Sequence, residues 1–220
     1  GATEDIIGRA LLKSGLSEKL LTQWNDDDLL AFTKLLRMET KPMIIAANKM
    51  DIPTATPNLE RIRKEFPHLI IVPCSAESEL ALKEADKHKI IRYTPGETSF
   101  EVVGKLSEKQ TQALDYIKSN VLDKWKGTGI QTAIDAAVFE LLKYIAIFPG
   151  GVNNLTDSQG RVLPDCFLMR PGTTALDFAF KLHSDFGNNF IRAIDVKTRK
   201  TVGKEHALKH RDVVEIISGK

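Results

Sequence analysis

The stretch that decides the fold is Met43-Ile44-Ile45-Ala46-Ala47-Asn48-Lys49-Met50-Asp51. Its first five residues form a short continuous apolar run, which is typical of a strand buried on both faces of a parallel sheet. The polar residues that follow then lie in a loop at the carboxyl end of that strand, where open α/β sheets bind their ligands. The stretch therefore predicts both a parallel sheet and a binding loop.

A second buried strand is predicted at Leu69-Ile70-Ile71-Val72, and it leads into Pro73-Cys74-Ser75-Ala76-Glu77. The residues between the two strands predict a helix over 56–66, with Thr56 as its N-cap and Pro57 at its first position. Another helix is predicted from Glu77 to Lys87. Strand, helix, strand and helix at these lengths indicate a βαβα unit with right-handed crossovers, so both polar loops should lie at the same edge of the sheet.

The residue types in these two loops suit a guanine base. The Asp51 carboxylate can accept two parallel hydrogen bonds, and guanine offers two adjacent donors, its ring N–H and its exocyclic amine. The Asn48 amide can bind the base and brace neighbouring backbone. The aliphatic stem of Lys49 can lie over a flat ring while its ammonium stays in water. Ala76 is small enough for its backbone N–H to approach a base oxygen, and Ser75 can tie the loop down.

The flanking segments are predicted to be helical. Asn25 is a good N-cap for a helix that begins with Asp26-Asp27-Asp28, whose charges favour the helix dipole. A metal site at this triplet is the alternative, but three consecutive helical residues do not converge on one point. Ser107-Glu108-Lys109-Gln110 is a capping box that opens a helix to Trp125. Gly127-Thr128-Gly129 breaks this helix, and residues 130–142 form another.

From Tyr144 the pattern changes to short strands separated by turns. Strands are predicted at 144–148, 166–169, 190–196 and 213–217, with one helix between them from Thr174 to Asp185. Cys166 alternates with apolar neighbours and is predicted to be a core residue. Two strands, a helix and two strands indicate a small α+β domain. We therefore expect a helical segment at 1–40, an α/β segment at 41–143 and an α+β domain at 144–220.

Composition narrows the class of protein. The chain is 42% hydrophobic and 27% charged with a net charge of +2, which is ordinary for a folded globular protein. Its two cysteines lie far apart and form no CxxC pair, which argues against a disulfide scaffold or a zinc site and fits a reducing compartment. No apolar run is long enough to cross a bilayer, so we expect a cytoplasmic protein with no membrane partner.

Positive charge is concentrated in the last third of the chain. Residues 144–220 hold 11 Lys and Arg against 8 Asp and Glu. Six basic residues near the last strands are either a solvated face or candidates for RNA contact: Arg192, Lys197, Arg199, Lys200, Lys204 and Arg211. His206 and His210 are four apart, but two histidines without a third ligand are weak evidence for zinc. His183 is expected to pack against or cap the end of the helix that begins at Thr174.

Together these motifs resemble those of a known family. Asn48-Lys49-Met50-Asp51 and Ser75-Ala76-Glu77 are similar to the two base-recognition motifs of the P-loop GTPases. The segment 144–220 resembles a TGS domain, a ubiquitin-like β-grasp module, in the stretches Arg170–Ala179 and Leu182–Asp185. Gly127–Gln131 is also similar to the Obg-related, YchF-like GTPases, in which a GTPase core precedes a TGS domain. The resemblance implies an α/β partial GTPase domain followed by an α+β β-grasp domain.

The resemblance also shows departures from the family pattern. Some YchF-like proteins alter the Asn-Lys-x-Asp motif and prefer ATP, whereas this chain keeps Asn48, Lys49 and Asp51, which favours GTP and GDP. The sequence contains no GxxxxGK[ST] phosphate loop. Asp157-Ser158-Gln159-Gly160 matches a switch pattern but lies after the base motifs, and we interpret it as a hairpin turn. We therefore expect a C-terminal part of a longer GTPase that lacks the half holding phosphates and Mg²⁺, and is inactive alone.

Two interpretations of function follow. In the first, the chain supplies guanine recognition and a TGS domain to a GTPase that acts in translation, with RNA or ribosome contact implied by the resemblance. In the alternative, it is a nucleotide-independent RNA- or ribosome-binding module whose base motifs are idle. A piece of a tRNA synthetase or stringent-response enzyme is a third interpretation, but the catalytic segments that it needs are absent from the sequence.

Overall fold

The computed structural model describes residues 2–219, and these divide into two compact units, Gly1–Ala137 and Val138–Lys220. The first unit is α/β and the second is α+β, as the sequence predicts. Each unit has its own hydrophobic core and is described by itself.

The first unit consists mainly of helices around a short parallel sheet. Its helices are α1 (Glu4–Ser14), α2 (Asp26–Thr40), α3 (Thr56–Glu65), α4 (Ala76–Lys87), α5 (Glu108–Ile117), α6 (Asp123–Trp125) and α7 (Ile130–Asp135). Its strands are β1 (Ile44–Ala47), β2 (Ile70–Pro73), β3 (Ile91–Arg92) and β4 (Glu101–Val102). Single 3₁₀ turns lie at Leu21–Gln23 and Pro53–Ala55, and π-helical turns lie at Lys118–Leu122 and Ala136–Leu141.

Strands β1 and β2 pair in parallel, with Ile44 opposite Ile70 and Ala47 opposite Pro73. The predicted βαβα unit is therefore confirmed, since α3 connects the two strands and α4 follows β2. Helix α3 begins at Thr56 itself, one residue earlier than predicted, and its N-cap is Ala55. The sheet packs on a core formed by Met50, Leu59 and Ile71.

Helices α1 and α2, which precede the sheet in the chain, pack against each other. Asn25 caps α2 as predicted, because its side chain accepts the Asp28 N–H while the Asp28 carboxylate accepts the Asn25 N–H. The Glu39 carboxylate of α2 pairs with both Arg9 and Lys13 of α1. These ion pairs are largely exposed to solvent, so each contributes little to the free energy of unfolding.

A long helical segment runs from Glu108 to Trp125 and contains a π-helical turn at Lys118–Leu122. The capping box at Ser107 and Gln110 opens it as predicted. Its apolar face packs against α4 and β3 in a core that includes Leu82, Ile91 and Tyr93, together with Leu114, Ile117, Val121 and Leu122. A π-helical turn winds by a smaller angle per residue, so it shifts the orientation of Trp125 relative to the preceding α-helix.

One carboxylate, that of Glu79 in α4, is buried in this unit and only 7% exposed. Its Oε2 accepts hydrogen bonds from the Thr128 hydroxyl at 2.6 Å and from the Tyr93 hydroxyl at 2.8 Å. Burial of a charged group is costly unless its lone pairs are satisfied, so both hydroxyls stabilise the folded state. Desolvation by burial, then the hydrogen bond to Glu79 and the charge of that carboxylate, raise the pKa of Tyr93 to about 12.

The second unit is a five-stranded sheet covered by two helices. Its strands are β5 (Ile145–Pro149), β6 (Phe167–Met169), β7 (Phe190–Asp195), β8 (Lys200–Val202) and β9 (Asp212–Ser218), in the order β6-β5-β9-β7-β8. The central pair β5 and β9 is parallel and the other pairs are antiparallel. Helix α8 (Ala175–Leu182) packs Phe178 into the core, and α9 (Ser184–Asn188) follows it. This is the β-grasp arrangement that the sequence predicts.

Three expectations about this unit need correction. It has five strands rather than four, because β8 is a short edge strand whose Lys-Thr-Val sequence carries no apolar alternation. The predicted helix over 174–185 is two helices, since His183 adopts an extended backbone between them. Cys166 is exposed rather than core. Side chains alternate along a strand, so when Phe167 and Met169 pack inward, Cys166 and Leu168 face outward.

The predicted turn at Asp157–Gly160 is confirmed. The Gly160 N–H donates to the Asp157 carbonyl, and Thr156 pairs with Val162 across the turn. No helix in the described part of the chain is both long and apolar enough to cross a membrane.

Gly129 offers a direct test of the packing at the end of β2. Its φ is +79°, and an added Cβ would lie 1.9 Å from the Pro73 carbonyl oxygen. We expect Gly129→Ala to lower the free energy of unfolding by about 3 kcal/mol or more, from backbone strain plus the clash. Gly15→Ala is the matched control, because φ is +71° there but nothing lies within 4 Å of the added Cβ. In urea unfolding, this control should lose only about 1–2 kcal/mol of the free energy of unfolding. Equal losses in the two variants would contradict the packing argument.

The Tyr93 pKa leads to a prediction for alkaline pH. Its folded-state value is about 12 against an ordinary 10.0, so between these limits the unfolded chain loses a proton that the folded chain keeps. The contribution of Tyr93 to the free energy of unfolding is therefore fully present below pH 10. It falls as pH rises towards 12, by at most ~1.4 kcal/mol per pH unit. The free energy of unfolding of the protein should fall more steeply over this window than that of Tyr93→Phe. Parallel pH curves would contradict the assignment.

Candidate functional site

The two polar loops meet at the carboxyl edge of the β1–β2 pair. The Cys74 N–H donates to the Ala47 carbonyl at 2.8 Å, and the Met50 N–H donates to the Cys74 carbonyl at 2.9 Å. These bonds continue the parallel ladder beyond the strand ends. The loop that follows β1 is thus held against the loop that follows β2, as the strand order predicts.

Asn48 connects the two loops through its side chain. Its Oδ1 accepts the Lys49 N–H at 2.8 Å and the Ala76 N–H at 3.0 Å. The Ala76 N–H is also the first donor of α4, where the helix dipole is positive. A base oxygen would therefore share or replace the Asn48 oxygen at this donor.

Asp51 and Ser75 form the second connection. The Ser75 hydroxyl donates to Asp51 Oδ1 at 2.8 Å and lies 2.8 Å from the Ser78 hydroxyl. Ser75 is only 1% exposed, whereas Asp51 is half-buried. A carboxylate whose one oxygen is tied to a buried hydroxyl has a fixed orientation, and its other oxygen can receive donors from a ligand.

Lys49 occupies a special backbone position in the same loop. Its φ is 67°, which lies in the left-handed region, and its side chain is exposed. This conformation turns the chain sharply between Asn48 and Met50. Met50 is then buried under the loop at 2% exposure, which anchors the loop to the core.

Two aromatic residues that were not predicted hold the backbone of this loop. The Trp125 indole N–H donates to the Met50 carbonyl at 3.0 Å, and the Tyr116 hydroxyl donates to the Asp51 carbonyl at 2.9 Å. Both come from the helical segment around the π turn, more than sixty residues along the chain. The sequence shows only that a tyrosine and a tryptophan lie near the end of a predicted helix, and it does not indicate which backbone groups they contact.

Thr128 was predicted only as part of a helix break, yet it contacts the second loop. Its carbonyl accepts the Ser75 N–H at 2.8 Å, and it is 2% exposed. A threonine between two glycines is the sequence signal, since Gly127 and Gly129 both adopt positive φ. The turn therefore positions Ser75 as well as ending a helix.

A cavity of about 280 Å³ opens beside Asp51 and is lined by Glu77, Ser78, Ala81 and Tyr116, together with Ala113 and Ile117. Asn48, Lys49, Asp51, Ser75 and Ala76 lie together at this end of the sheet. They combine an oriented carboxylate, a helix N-terminal amide and an amide side chain. This set can discriminate a flat heterocycle by its pattern of donors and acceptors, and it contains no arrangement of nucleophile and base.

In the second unit the six basic residues are all exposed. Lys197, Arg199 and Lys200 lie at the tip of the β7–β8 hairpin, where Asp195 pairs with Lys200. Arg192 and Lys204 flank the other end of the hairpin, and Arg211 immediately precedes β9. None of the six takes part in an ion pair within residues 2–219.

The histidines of this unit have structural contacts. His183 is the C-cap residue of α8, as predicted, but its side chain caps the start of α9, where Nδ1 accepts the Asp185 N–H. His210 accepts the Ala146 N–H at 3.1 Å and packs edge-on against Phe139. His206 and His210 lie in a loop and not on a helix face. No cluster of three metal-ligating side chains occurs in the described part of the chain.

Two family models match adjacent parts of this chain. Residues 46–152 match the Obg-like GTPase YGR210-like, G4 motif-containing domain, and residues 153–218 match the TGS domain. The first match contains both polar loops, Tyr116, Trp125 and Thr128. The second contains most of the α+β unit and all six candidate residues for RNA contact.

Curated relatives agree with these matches. A GTP-binding protein of Methanocaldococcus jannaschii is 47% identical over 199 residues, which are 89% of this chain and 50% of that protein. A GTP-binding protein of Schizosaccharomyces pombe is 31% identical over 166 residues, which are 70% of this chain and 40% of that protein. The chain thus spans half or less of the length of the curated relatives it matches.

Solved structures show the same architecture. A GTP-binding protein from Pyrococcus horikoshii OT3 aligns with a TM-score of 0.66 at 38% identity, over 100% of this chain and 58% of that one. The Schizosaccharomyces pombe YchF GTPase aligns with a TM-score of 0.50 at 16% identity, over 96% and 54% of the two chains, and shows likeness of fold alone. The family models and these alignments together show that this chain belongs to the YGR210-like Obg-like GTPases and carries their G4-motif domain and their TGS domain.

Proposed function

We propose that the first unit recognises the guanine base of GTP or GDP. The observation that carries this proposal is the Ser75–Asp51 hydrogen bond, which orients the carboxylate beside the Ala76 N–H. The ring N–H and exocyclic amine of guanine would donate to Asp51, and the 6-oxo group would accept from Ala76. Adenine offers neither this donor pair nor this acceptor.

Asn48 and Lys49 complete the proposed site. Asn48 joins the two loops and presents its amide to the base, and the Lys49 stem covers one face of the ring. The relatives' names describe them as GTP-binding, which supports the same ligand for this chain. Phosphate and Mg²⁺ contacts would come from a GxxxxGK[ST] segment, which these 220 residues do not contain. We therefore propose that the chain alone binds guanine nucleotide weakly and does not hydrolyse GTP.

The second unit is proposed to contact RNA or the ribosome in the cytoplasm. Support comes from the exposed basic residues at the tip of the β7–β8 hairpin, which form no ion pair among the described residues and are free to meet phosphates. Lys and Arg on a short edge strand also discourage sheet-to-sheet aggregation, and this is the competing explanation for Lys200. If this interaction is independent of guanine nucleotide, the chain is an RNA- or ribosome-binding module whose base motifs are idle.

Guanine recognition is tested by titrating the chain with GDP, with ADP as the control ligand. The amide NMR signals of Asp51 and Ala76 should shift only at GDP concentrations well above micromolar, and ADP should leave them unchanged. Micromolar or tighter binding of GDP would contradict the proposal that phosphate contacts are missing. Equal shifts with ADP would contradict guanine recognition.

Asp51→Asn should invert the base preference. An amide keeps one acceptor and gains a donor, so GDP should lose a charge-assisted bond and bind at least about tenfold more weakly. Xanthosine diphosphate carries a carbonyl in place of the amine, and its affinity should rise. Asp115→Asn, an exposed carboxylate on α5, is the control and should change neither affinity. An Asp51→Asn variant with unchanged GDP binding would remove Asp51 from the site.

RNA contact is tested by the salt dependence of binding to a generic single-stranded RNA. Replacing Lys197, Arg199 and Lys200 together by Ala should reduce the slope of log K against log salt by about 2, at ~0.7 per lost phosphate contact. A control that replaces Lys34, Lys64 and Lys83 removes the same charge from exposed positions in the first unit. Equal effects of the two triple variants would indicate net charge alone and contradict a site at the hairpin.

A further inference from the structure

The backbone of Ser75 is held from both sides. Its N–H donates to the Thr128 carbonyl at 2.8 Å, and its own carbonyl accepts the Glu79 N–H at 3.1 Å. The bond from the Glu79 N–H belongs to the first turn of α4. The bond to the Thr128 carbonyl, in contrast, joins Ser75 to a segment more than fifty residues away, and neither the position of β2 nor the start of α4 requires this contact.

Side chains close these contacts into a ring. The Thr128 hydroxyl donates to Glu79 Oε2 at 2.6 Å, so the chain of bonds runs from Ser75 to Thr128, on to Glu79 and back to Ser75. Tyr93 donates to the same Glu79 oxygen at 2.8 Å and braces the ring from outside. Thr128, Glu79 and Tyr93 are exposed by only 2%, 7% and 6%, so water cannot replace a lost partner at low cost.

The backbone around Thr128 is shaped for this contact. Gly127 and Gly129 have φ values of 128° and 79°, and Gly129 lies too close to Pro73 to carry a side chain. Cys74 Sγ also lies 3.3 Å from the Gly129 carbonyl. The turn is therefore pressed against the end of β2, which places the Thr128 carbonyl opposite the Ser75 N–H.

Ser75 in turn controls both groups that would read the base. Its hydroxyl orients Asp51, and the peptide that joins it to Ala76 carries the Ala76 N–H. Any rotation of that peptide moves the N–H away from the position of a 6-oxo group. A donor that is already oriented loses less entropy on binding, and it discriminates more sharply.

We propose that Thr128 and Glu79 are positioning residues for guanine recognition, because their ring of hydrogen bonds with Ser75 fixes the peptide that presents the Ala76 N–H. The proposal rests on the proposed function of the first unit. Neither residue touches the base. Their effect should appear in the discrimination of the 6-oxo group, not in contacts with the rest of the nucleotide.

The first experiment needs no nucleotide. In Thr128→Val, which keeps the shape and removes the hydroxyl, the Ser75 and Ala76 amides should exchange with solvent about tenfold faster by NMR, as expected from the loss of about one hydrogen bond. Thr128→Ser keeps the hydroxyl and should exchange like the unmodified protein. Thr173→Val is the matched control, since Thr173 is also buried and its hydroxyl donates to the Arg170 carbonyl. It should leave both amides unchanged.

The second experiment compares GDP with 6-thioguanosine diphosphate, which keeps the ring N–H and the amine but carries sulfur, a weaker hydrogen-bond acceptor, in place of the 6-oxo oxygen. Thr128→Val should weaken GDP binding several-fold and leave the analogue unchanged, so that the ratio of the two affinities falls. Thr128→Ser should preserve the ratio. A purely structural role would weaken both ligands together, and that result would overturn the proposal.

The two experiments separate the two proposals. If the unmodified protein does not prefer GDP over the analogue, 6-oxo recognition by Ala76 is wrong, while amide exchange still tests the ring. If Thr128→Val and Thr128→Ser exchange alike, the ring does not fix the peptide and the positioning role is wrong. If Thr128→Val does not fold, Tyr93→Phe removes only the hydrogen bond from Tyr93 to Glu79 and leaves the ring itself intact. It should accelerate exchange at Ala76 by a smaller factor, and unchanged exchange there would also overturn the proposal.

Discussion

The parallel pairing of Ile44–Ala47 with Ile70–Pro73 is the constraint on which the rest of the first unit depends. Parallel strands end at the same edge, so the pairing places the residues after Ala47 beside those after Pro73. The ladder then extends into the loops through Cys74 and Met50. A shift of the register by one residue would move Ser75 away from Asp51 and turn the buried side chains outward.

Features that depend on nearby residues could be predicted from the sequence. The two parallel strands, the Asn25 and Ser107 caps and the turn at Asp157 each follow from a few adjacent side chains. The prediction that β1 is buried on both faces is wrong, because Ala46 is exposed and its neighbours are only partly buried. The contacts of Asn48 with Ala76 and of Asp51 with Ser75 could be expected, because strand order alone brings the two loops together. The β-grasp unit was expected from its pattern of strands and helix and from its resemblance to a family, although β8 was missed.

Features that depend on distant partners could not be predicted. Trp125 and Tyr116 bind loop carbonyls more than sixty residues away, and a π-helical turn with no sequence signature lies between the two aromatic residues. Glu79 lies in a helix that the sequence predicts, but no local signal marks it as buried or as the acceptor of two hydroxyl hydrogen bonds. The prediction that Cys166 is a core residue was wrong for a related reason. Alternation along a strand determines which residues share a face, but it does not determine which face is buried.

The candidate site is thus held by two kinds of contact. Bonds within the βαβ unit bring Asn48, Asp51, Ser75 and Ala76 together, and contacts from residues 116–128 restrict how far they can move. A base binds through few hydrogen bonds, each of modest net free energy, so discrimination depends on how well the donors and acceptors are oriented beforehand. In the proposed site, the segment from α5 to Thr128 would contribute to that orientation through its contacts with the two loops. Substitutions in this segment are therefore expected to alter base preference while Asn48, Lys49 and Asp51 stay unchanged.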